Sequence, residues 1–246
     1  IAIDTEFIRT DTFYPIPALI QIFDGQQCYL IDPLCINCFQ PLIDLFSEQS
    51  VEKVVHSCGE DLEVFSSLLG VLPTPLFDTQ IAAGLIGLEF SMGYQNLVQG
   101  VLGKEISKDE TRSDWLQRPL TSKQLDYAAN DVIWLLDVYQ HLQQRLCGLG
   151  RDGWLVQECS AVLDRALSPA PIEQYYLRIR AARKLDRQEL HLLRALSTWR
   201  EKEARHLDVP RSRVISDANL VEIVKVRPRD KFSLSSKTGL SPRVIR

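Results

Sequence analysis

Apolar and polar positions in the first part of the chain follow the pattern of β-strands. Residues 1–7, 18–23 and 28–31 are rich in β-branched and apolar side chains, and Asp24 with Gly25 supplies a turn between the second and third segments. Consecutive strands joined by a short turn pair as antiparallel neighbours. The pattern therefore predicts an antiparallel meander at the start of the chain.

The pattern then changes to a helical period interrupted by a further strand. Apolar residues recur at three- and four-residue spacing most clearly over residues 122–146. Helices are also predicted at 39–47, 60–69, 79–88, 95–102 and 154–167, with a short strand at 53–56. Strands followed by alternating strands and helices favour the α/β class, with a mixed sheet flanked by helices.

A linker that contains prolines divides the chain. Pro169 and Pro171 stand two residues apart, and so close a pair of prolines does not continue a helix. We expect a first domain over residues 1–146, a connecting helix and linker over 147–171, and a small all-helical domain over 172–246. Helices within the last domain are predicted at 176–207, 217–226 and 234–245.

The composition excludes several classes of protein. With 246 residues and 45% hydrophobic side chains, the chain is long enough for a packed core and is neither disordered nor a disulfide miniprotein. Its apolar stretches are shorter than the roughly 20 residues of a membrane span and no signal peptide begins it, so we expect a cytoplasmic protein without a membrane partner. Because the chain starts at Ile1 within a predicted strand and its one methionine is Met92, residues are expected ahead of Ile1.

The net charge of −4 conceals an uneven distribution. Residues 1–150 carry 8 Lys and Arg against 20 Asp and Glu, a net of −12, whereas residues 151–246 carry 20 against 12, a net of +8. The net charge of the whole chain disfavours a nucleic-acid partner. A segment as basic as residues 151–246, however, is typical of proteins that bind nucleic acids. The two parts are therefore expected to have different electrostatic roles.

The cysteines form no complete metal motif. Cys35 and Cys38 are spaced as C-x-x-C, but no second cysteine pair or histidine pair stands at zinc-finger spacing. The residues around them, Leu34, Ile36 and Phe39, are apolar. We therefore expect buried free thiols, with a metal site as the alternative.

Carboxylates recur in three of the predicted elements. Asp4 and Glu6 alternate with other residues in the first strand and therefore project from the same face of it. Asp61 lies in the acidic first turn of a helix, and Tyr127 and Asp131 stand four residues apart on another, one above the other. Taken singly, each has a simpler explanation: a solvated strand end, compensation of the helix dipole, or core packing.

Together these acids have the composition of a divalent-metal site. Hard cations such as Mg²⁺ take carboxylate oxygens and retain several waters. Four acids suit a pair of ions, and two ions about 3.5–4 Å apart stabilise the attacking and leaving oxygens of an in-line displacement at phosphorus. The residues therefore indicate phosphodiester hydrolysis.

Short segments of the first domain also match a known family in order and type. They are 4–7 (DTEF), 12–15 (TFYP), 19–21 (LIQ), 56–64 (HSCGEDLEV), 78–80 (DTQ), 112–115 (RSDW) and 127–132 (YAANDV). In these segments, which cover nearly all of residues 1–146, the chain resembles the DEDD 3′→5′ exonucleases with a tyrosine in the third motif, and among them the ribonuclease D family. The resemblance implies a ribonuclease H-like mixed sheet flanked by helices.

The resemblance also implies a role for each motif residue. Four carboxylates would hold two divalent ions, Mg²⁺ or Mn²⁺, namely Asp4, Glu6, Asp61 and Asp131. Tyr127 would orient the nucleophilic water, and Thr5 and Phe7 would contact the terminal nucleotide, with strand packing as the alternative for the latter two. Structural roles are expected for three further residues near the motifs, with substrate contact as the alternative: Gln21, His56 and Arg112.

The basic part of the chain, over residues 172–246, resembles an HRDC domain, a helical nucleic-acid-binding module. The matching positions are Leu193, Leu196, Trp199, Arg200, Ala204, Asp208, Val209, Pro210, Leu220 and Pro228. Its basic residues are dense enough to neutralise several phosphates, with a solvated charged face as the alternative. They include Arg178, Arg180, Arg183, Lys184, Arg187, Arg194, Arg200, Lys202 and Arg205. Relatives can carry a second HRDC domain, and this chain stops at Arg246 before one could appear.

The resemblance implies a metal-dependent 3′→5′ exoribonuclease that trims structured RNA such as tRNA precursors and releases nucleoside 5′-monophosphates. RNA is the expected partner, and no obligate protein partner is evident. A DNA-directed exonuclease of the same superfamily stays open, because no side chain is identified that reads the 2′-OH. A non-catalytic RNA-binding protein is the other alternative, and the intact set of four acids with Tyr127 argues against it.

Overall fold

The chain folds into two units in a computed structural model that describes residues 1–106, 110, 113–238 and 240. The first unit comprises Ile1–Ile8 and Pro15–Ser168, and the second comprises Arg9–Tyr14 and Pro169–Arg246. The expectation for Arg112 and the end of the last predicted helix lie outside the described residues.

A mixed sheet forms the centre of the first unit, as predicted. Within the described residues its strands are β1 (Ala2–Ile8), β2 (Ile16–Phe23), β3 (Cys28–Ile31), β4 (Lys53–Val55) and β5 (Leu76–Asp78). Their order is β3-β2-β1-β4-β5, with β1, β2 and β3 antiparallel and β4 and β5 parallel to β1. The sequence pattern misses β5, because three consecutive buried residues have no periodicity of their own.

Helices surround this sheet. They are α1 (Gln40–Ser47), α2 (Gly59–Leu69), α3 (Thr79–Leu85), α4 (Tyr94–Leu102), α5 (Ser122–Ile133), α6 (Leu135–Leu149) and α7 (Asp152–Leu167). The single helix predicted over 122–146 is divided into α5 and α6 at Trp134. The sequence treats 147–171 as a connector, whereas α7 packs into the core of the first unit through Leu155 and Cys159.

The sheet buries apolar side chains on both faces. Ile3 pairs with Ile22 across β1 and β2, and both join the larger core cluster with residues of α2 and α6. On the other face, Leu19 packs with Trp115 and with Ala128 of α5. Burial of side chains of this size stabilises by roughly 1.5–3 kcal/mol each. The packing therefore fixes α5 against β1, β2 and β3.

The second unit is helical in its described residues. It consists of two 3₁₀ segments, Ile172–Arg178 and Arg180–Lys184, followed by α8 (Arg187–Leu207), α9 (Arg211–Val214), α10 (Asp217–Val226) and α11 (Lys231–Thr238). The helix predicted over 176–207 thus begins as 3₁₀ turns, and α8 starts at a capping box between Asp186 and Glu189. Leu193, Leu220 and Val224 are fully buried in its core.

The segment between β1 and β2 belongs to this second unit. The Asp208 carboxylate, at the end of α8, accepts hydrogen bonds from the backbone N–H groups of Phe13 (2.9 Å) and Tyr14 (3.1 Å). The guanidinium of Arg211 lies 4.7 Å from the centre of the Phe13 ring, within the distance of a cation–π contact. Residues 9–14 therefore fold with residues that follow them by almost 200 positions.

Two further expectations can be compared with the structure. In the described part of the chain, no helix is both long and apolar enough to cross a membrane. Cys35 and Cys38 are free thiols, but both are exposed, so the prediction that they are buried is wrong. The reason is that Leu34 beside them is half exposed, since this turn after β3 lies at the surface of the unit.

Candidate active site

Pairing between β1 and β2 determines the positions of the first two acids, Asp4 and Glu6. Asp4 is paired with Gln21 and Glu6 with Leu19, so both carboxylates lie on the face of the sheet that α5 covers. The register shifts directly after Glu6, where β2 has one extra residue, Ala18, between the partners of Glu6 and Phe7. Bulges increase the local twist and redirect side chains, and they are frequent next to active sites.

The start of α2 determines the position of the third acid, Asp61. Asp78, at the end of β5, accepts hydrogen bonds from the backbone N–H groups of Ser57 and Cys58, each at 3.1 Å. These bonds hold the turn that leads into α2, where Ser57 has a left-handed φ of 58°. Asp61 lies in the first turn of the helix, and its carboxylate accepts a hydrogen bond from the hydroxyl of Thr5.

Helix α5 carries the fourth acid and the tyrosine. Its start is fixed by a capping box, in which Thr121 accepts from the backbone of Gln124 at 3.2 Å and the Gln124 side chain accepts from the backbone of Thr121 at 2.9 Å. Ala128 is fully buried against the sheet. The i, i+4 spacing brings the phenol of Tyr127 into a hydrogen bond with Asp131.

The structure brings most of the predicted acids together. One carboxylate oxygen from each of Asp4, Glu6 and Asp131 lies within 4.8 Å of the others. Asp61 is outside this closest group, but its charge acts on both Asp4 and Glu6. Acids from β1 and α5 therefore converge, and the acid of α2 is near enough for its charge to act on two of them.

Burial raises the pKa of each acid, and repulsion from the neighbouring acids adds to it for Asp4 and Glu6. Burial is the larger cause for Asp4, and the charges of its three acidic neighbours add to it, so its pKa lies well above its usual range. For the same two reasons the pKa of Glu6 is raised to about 9. Burial raises the pKa of Asp131 to about 7 and that of Asp61 to about 6, although hydrogen bonds from Tyr127 and Thr5 partly oppose it.

This donor set fits hard divalent cations. The convergent groups are carboxylates, which are the ligands that Mg²⁺ and Mn²⁺ take, and no thiol or imidazole belongs to the closest group among the described residues. Unneutralised carboxylates this close are costly, since like charges in a buried place disfavour one another's ionised forms. A divalent cation bound among them would remove that cost.

The remaining predicted residues lie around this cluster. Thr5 is buried and is engaged with Asp61, whereas Phe7 is half-buried. His56 lies 2.9 Å from the Thr79 hydroxyl through its Nδ1 atom, a contact that suits the structural role expected for it. Gln21 is fully buried beside Asp4.

Sequence reasoning missed one residue at the cluster. Tyr94, the first residue of α4, donates its phenol O–H to the backbone oxygen of Asn130 at 3.1 Å. Burial raises the pKa of Tyr94, and the charges of Asp131 and Asp4 raise it further, which places this phenol near both acids. No motif surrounds Tyr94 in the sequence, so only the packing of α4 reveals it.

The nine basic residues of the second unit that the sequence singles out divide into two groups. Arg200 is buried and forms an ion pair with Asp217 at 2.6 Å. Arg205 forms an ion pair with the buried Glu201 at 2.9 Å, so both guanidinium groups are engaged within the unit. Seven others are exposed: Arg178, Arg180, Arg183, Lys184, Arg187, Arg194 and Lys202. These seven have the exposure that contact with a nucleic acid requires.

The chain matches two family models. Residues 1–147 match the 3′-5′ exonuclease model and residues 189–246 match the HRDC domain model. The chain is 43% identical over 246 residues to Ribonuclease D of Pseudomonas paraeruginosa, covering all of this chain and 65% of that protein. It is 39% identical to Ribonuclease D of Xanthomonas oryzae pv. oryzae, covering all of this chain and 68% of that protein.

Solved structures give the same relationship. The structure of Escherichia coli RNase D, described as an exoribonuclease involved in structured RNA processing, matches with a TM-score of 0.90 and 38% identity, over 100% of this chain and 65% of that one. Brucella melitensis NrnC with bound Mg²⁺ matches with a TM-score of 0.60 and 28% identity, over 67% of this chain and 82% of that one. The chain thus spans about two thirds of the length of its full-length relatives.

Proposed function

This chain belongs to the ribonuclease D family of 3′-5′ exonucleases, and from that premise we propose that it removes nucleotides from the 3′ ends of structured RNA. The reaction is hydrolysis of the terminal phosphodiester, with release of nucleoside 5′-monophosphates. The observation that carries the proposal is the convergence of Asp4, Glu6 and Asp131, with Asp61 next to them.

Four carboxylates would hold the metal in this proposal: Asp4, Glu6, Asp61 and Asp131. The family depends on divalent metal, and the NrnC structure contains Mg²⁺, so we propose two Mg²⁺ or Mn²⁺ ions for this chain. When bound, a pair of such ions lowers the pKa of a water and stabilises the charge on the attacking and leaving oxygens. The raised pKa values of the acids support this role, because cation binding compensates for their burial.

The residues of the chain supply the rest of the catalysis. Tyr127 is hydrogen-bonded to Asp131 and is proposed to orient the attacking water beside it. Thr5 is proposed to hold Asp61 through its hydroxyl and, with Phe7, to lie next to the terminal nucleotide. Of the two side chains, that of Phe7 is the more accessible, since Thr5 is only 6% exposed.

The second unit is proposed to bind RNA through its exposed basic residues. Proteins that neutralise phosphates release counterions, so affinity falls steeply with salt. The exposed group of arginines and lysines supports this role, and Arg200 and Arg205 are excluded from it by their internal ion pairs. Precursors of tRNA are the proposed substrates because their 3′ extensions adjoin a folded RNA body. The cytoplasmic location stays a prediction.

A comparison of matched RNA and DNA substrates tests the proposal. We expect a 5′-labelled 3′-extended tRNA to be shortened in single-nucleotide steps with Mg²⁺ or Mn²⁺, and to stay intact with a chelator. An RNA whose 3′ end is blocked serves as the control and is expected to resist cleavage.

Three results would contradict the proposal. Equal or faster shortening of a DNA oligonucleotide of the same sequence would favour the DNA-directed alternative. Tight RNA binding without shortening in any metal would favour the non-catalytic alternative, whereas internal cleavage products would exclude an exonuclease mechanism.

A further inference from the structure

Gln21 in β2 is a buried amide that lacks its hydrogen bonds. The residue is 0% exposed, and neither its Oε1 nor its Nε2 atom has a hydrogen-bond partner among the described residues. Leaving a buried polar group unpaired costs about 1–3 kcal/mol, and nearly all such groups in proteins are paired. An amide at this position therefore calls for a partner among the side chains that flank it.

The strand register identifies which side chains flank this amide. Gln21 is paired with Asp4 on β1 and with Leu30 on β3. Directly paired residues of antiparallel strands project to the same face, with Cβ atoms about 4.5–5.5 Å apart. Leu30 offers no polar atom, whereas the Asp4 carboxylate lies within the reach of a glutamine side chain.

We propose that Gln21 is a positioning residue for Asp4, because its Nε2 donates a hydrogen bond to a carboxylate oxygen of Asp4 when Asp4 holds a cation. The inference rests on the proposed function, because it takes Asp4 to be a metal ligand. Carboxylate ligands are themselves held by hydrogen bonds from neighbouring groups, and loss of such a partner typically lowers metal affinity 10- to 100-fold.

A second buried glutamine shows what a purely structural role looks like. Gln124 is 3% exposed, and its Nε2 donates to the Ser113 hydroxyl at 2.6 Å and to the Asp114 backbone oxygen at 3.1 Å. Its Oε1 accepts from the backbone of Thr121. Every polar atom of Gln124 is thus used within the fold, in contrast to both polar atoms of Gln21.

Metal binding to the full chain tests the role of Gln21. Titration of the metal-free protein with Mn²⁺, followed by electron paramagnetic resonance, measures affinity without RNA or turnover. Two apolar variants of similar volume, Gln21→Met and Gln21→Leu, are expected to bind Mn²⁺ at least roughly tenfold more weakly than wild type. The matched control, Gln124→Met, is expected to lose stability and to bind Mn²⁺ as wild type does.

The outcomes separate this inference from the proposed function. Wild-type Mn²⁺ affinity in either Gln21 variant overturns the positioning role while the nuclease proposal stands. Failure of the wild-type chain to bind Mn²⁺ contradicts the proposed function itself. In steady-state cleavage of RNA, a lower kcat with an unchanged KM in the Gln21 variants agrees with positioning of Asp4, whereas a higher KM alone overturns it.

Discussion

The candidate site illustrates, at the scale of single residues, how function opposes stability. Asp4, Glu6 and Asp131 lie side by side and are half-buried, and their removal from water raises the pKa of each. Within the metal-free fold these groups are stabilised by protonation, although a metal site requires them ionised. Natural proteins keep destabilising groups at functional sites, where a bound ligand compensates for their cost. We therefore expect a bound cation to stabilise the fold at this cluster.

We predict that the metal-free protein loses stability as pH rises. The pKa of Asp131 is about 7 in the folded chain and 3.8 ordinarily, so the folded state binds this proton more tightly than the unfolded state does. The associated stability is complete below pH about 4 and is lost as pH rises through about 7, with a magnitude on the order of a few kcal/mol.

Urea unfolding in the presence of a chelator at pH 5 and pH 8 measures this loss. The variant Asp131→Asn should show a smaller difference in the free energy of unfolding between pH 5 and pH 8. Asp126→Asn, an exposed acid on the same helix, is the matched control and should keep it. If stability depends on pH identically in Asp131→Asn and in wild type, folding does not raise the pKa of Asp131.

Helix α5 is the element on which the site depends most. It carries Tyr127 and Asp131, packs Ala128 against the sheet, and begins at the capping box of Thr121 and Gln124. The cap fixes where the helix starts, whereas the packing of Ala128 against the sheet fixes which residues face the site. A change at the cap is therefore expected to act on the stability of α5.

Removal of the cap is predicted to destabilise the fold moderately. The substitution Thr121→Ala removes the acceptor for the Gln124 backbone N–H and should lower the free energy of unfolding by about 1 kcal/mol. Chemical denaturation measures the change, and Ser122→Ala, at the neighbouring exposed position, is the control. A stability equal to that of wild type would mean that packing alone fixes the start of α5.

The sequence predicts much of the fold, and the misses have physical reasons. Strand alternation placed Asp4 and Glu6 on one face, and the i, i+4 spacing paired Tyr127 with Asp131, because both depend on local geometry. The break at Trp134 and the strand β5 carry no periodic signal, since tertiary packing determines them. The buried place of Gln21 likewise depends on a pairing with distant residues.

Across the whole molecule, the two parts of the chain carry opposite net charges that suit different roles. The net charge of residues 1–150 is −12 and that of residues 151–246 is +8. Part of the acidic excess is the cluster proposed to bind metal, and part of the basic excess is the exposed group of the second unit. Folding removes Arg200 and Arg205 from that group, which composition alone does not reveal.

We predict that the exposed arginines determine the salt dependence of RNA binding. The triple variant Arg180→Gln, Arg183→Gln, Arg187→Gln should bind RNA more weakly and should reduce the slope of log affinity against log salt by about 2. Binding isotherms between low and moderate salt measure the slope. Arg145→Gln, an exposed arginine of the first unit, is the control, and an unaltered slope in the triple variant would show that these arginines do not contact phosphates.

The acid cluster is proposed to hydrolyse RNA with bound divalent metal. The most direct measurement is the Mg²⁺-dependent release of nucleoside 5′-monophosphates from a 3′-labelled RNA by wild type and by Asp61→Asn, with RNA affinity measured in parallel. We predict a rate at least about 100-fold lower in the variant, with RNA affinity nearly unchanged. Release at the wild-type rate by Asp61→Asn, or in the presence of a chelator, would contradict this proposal.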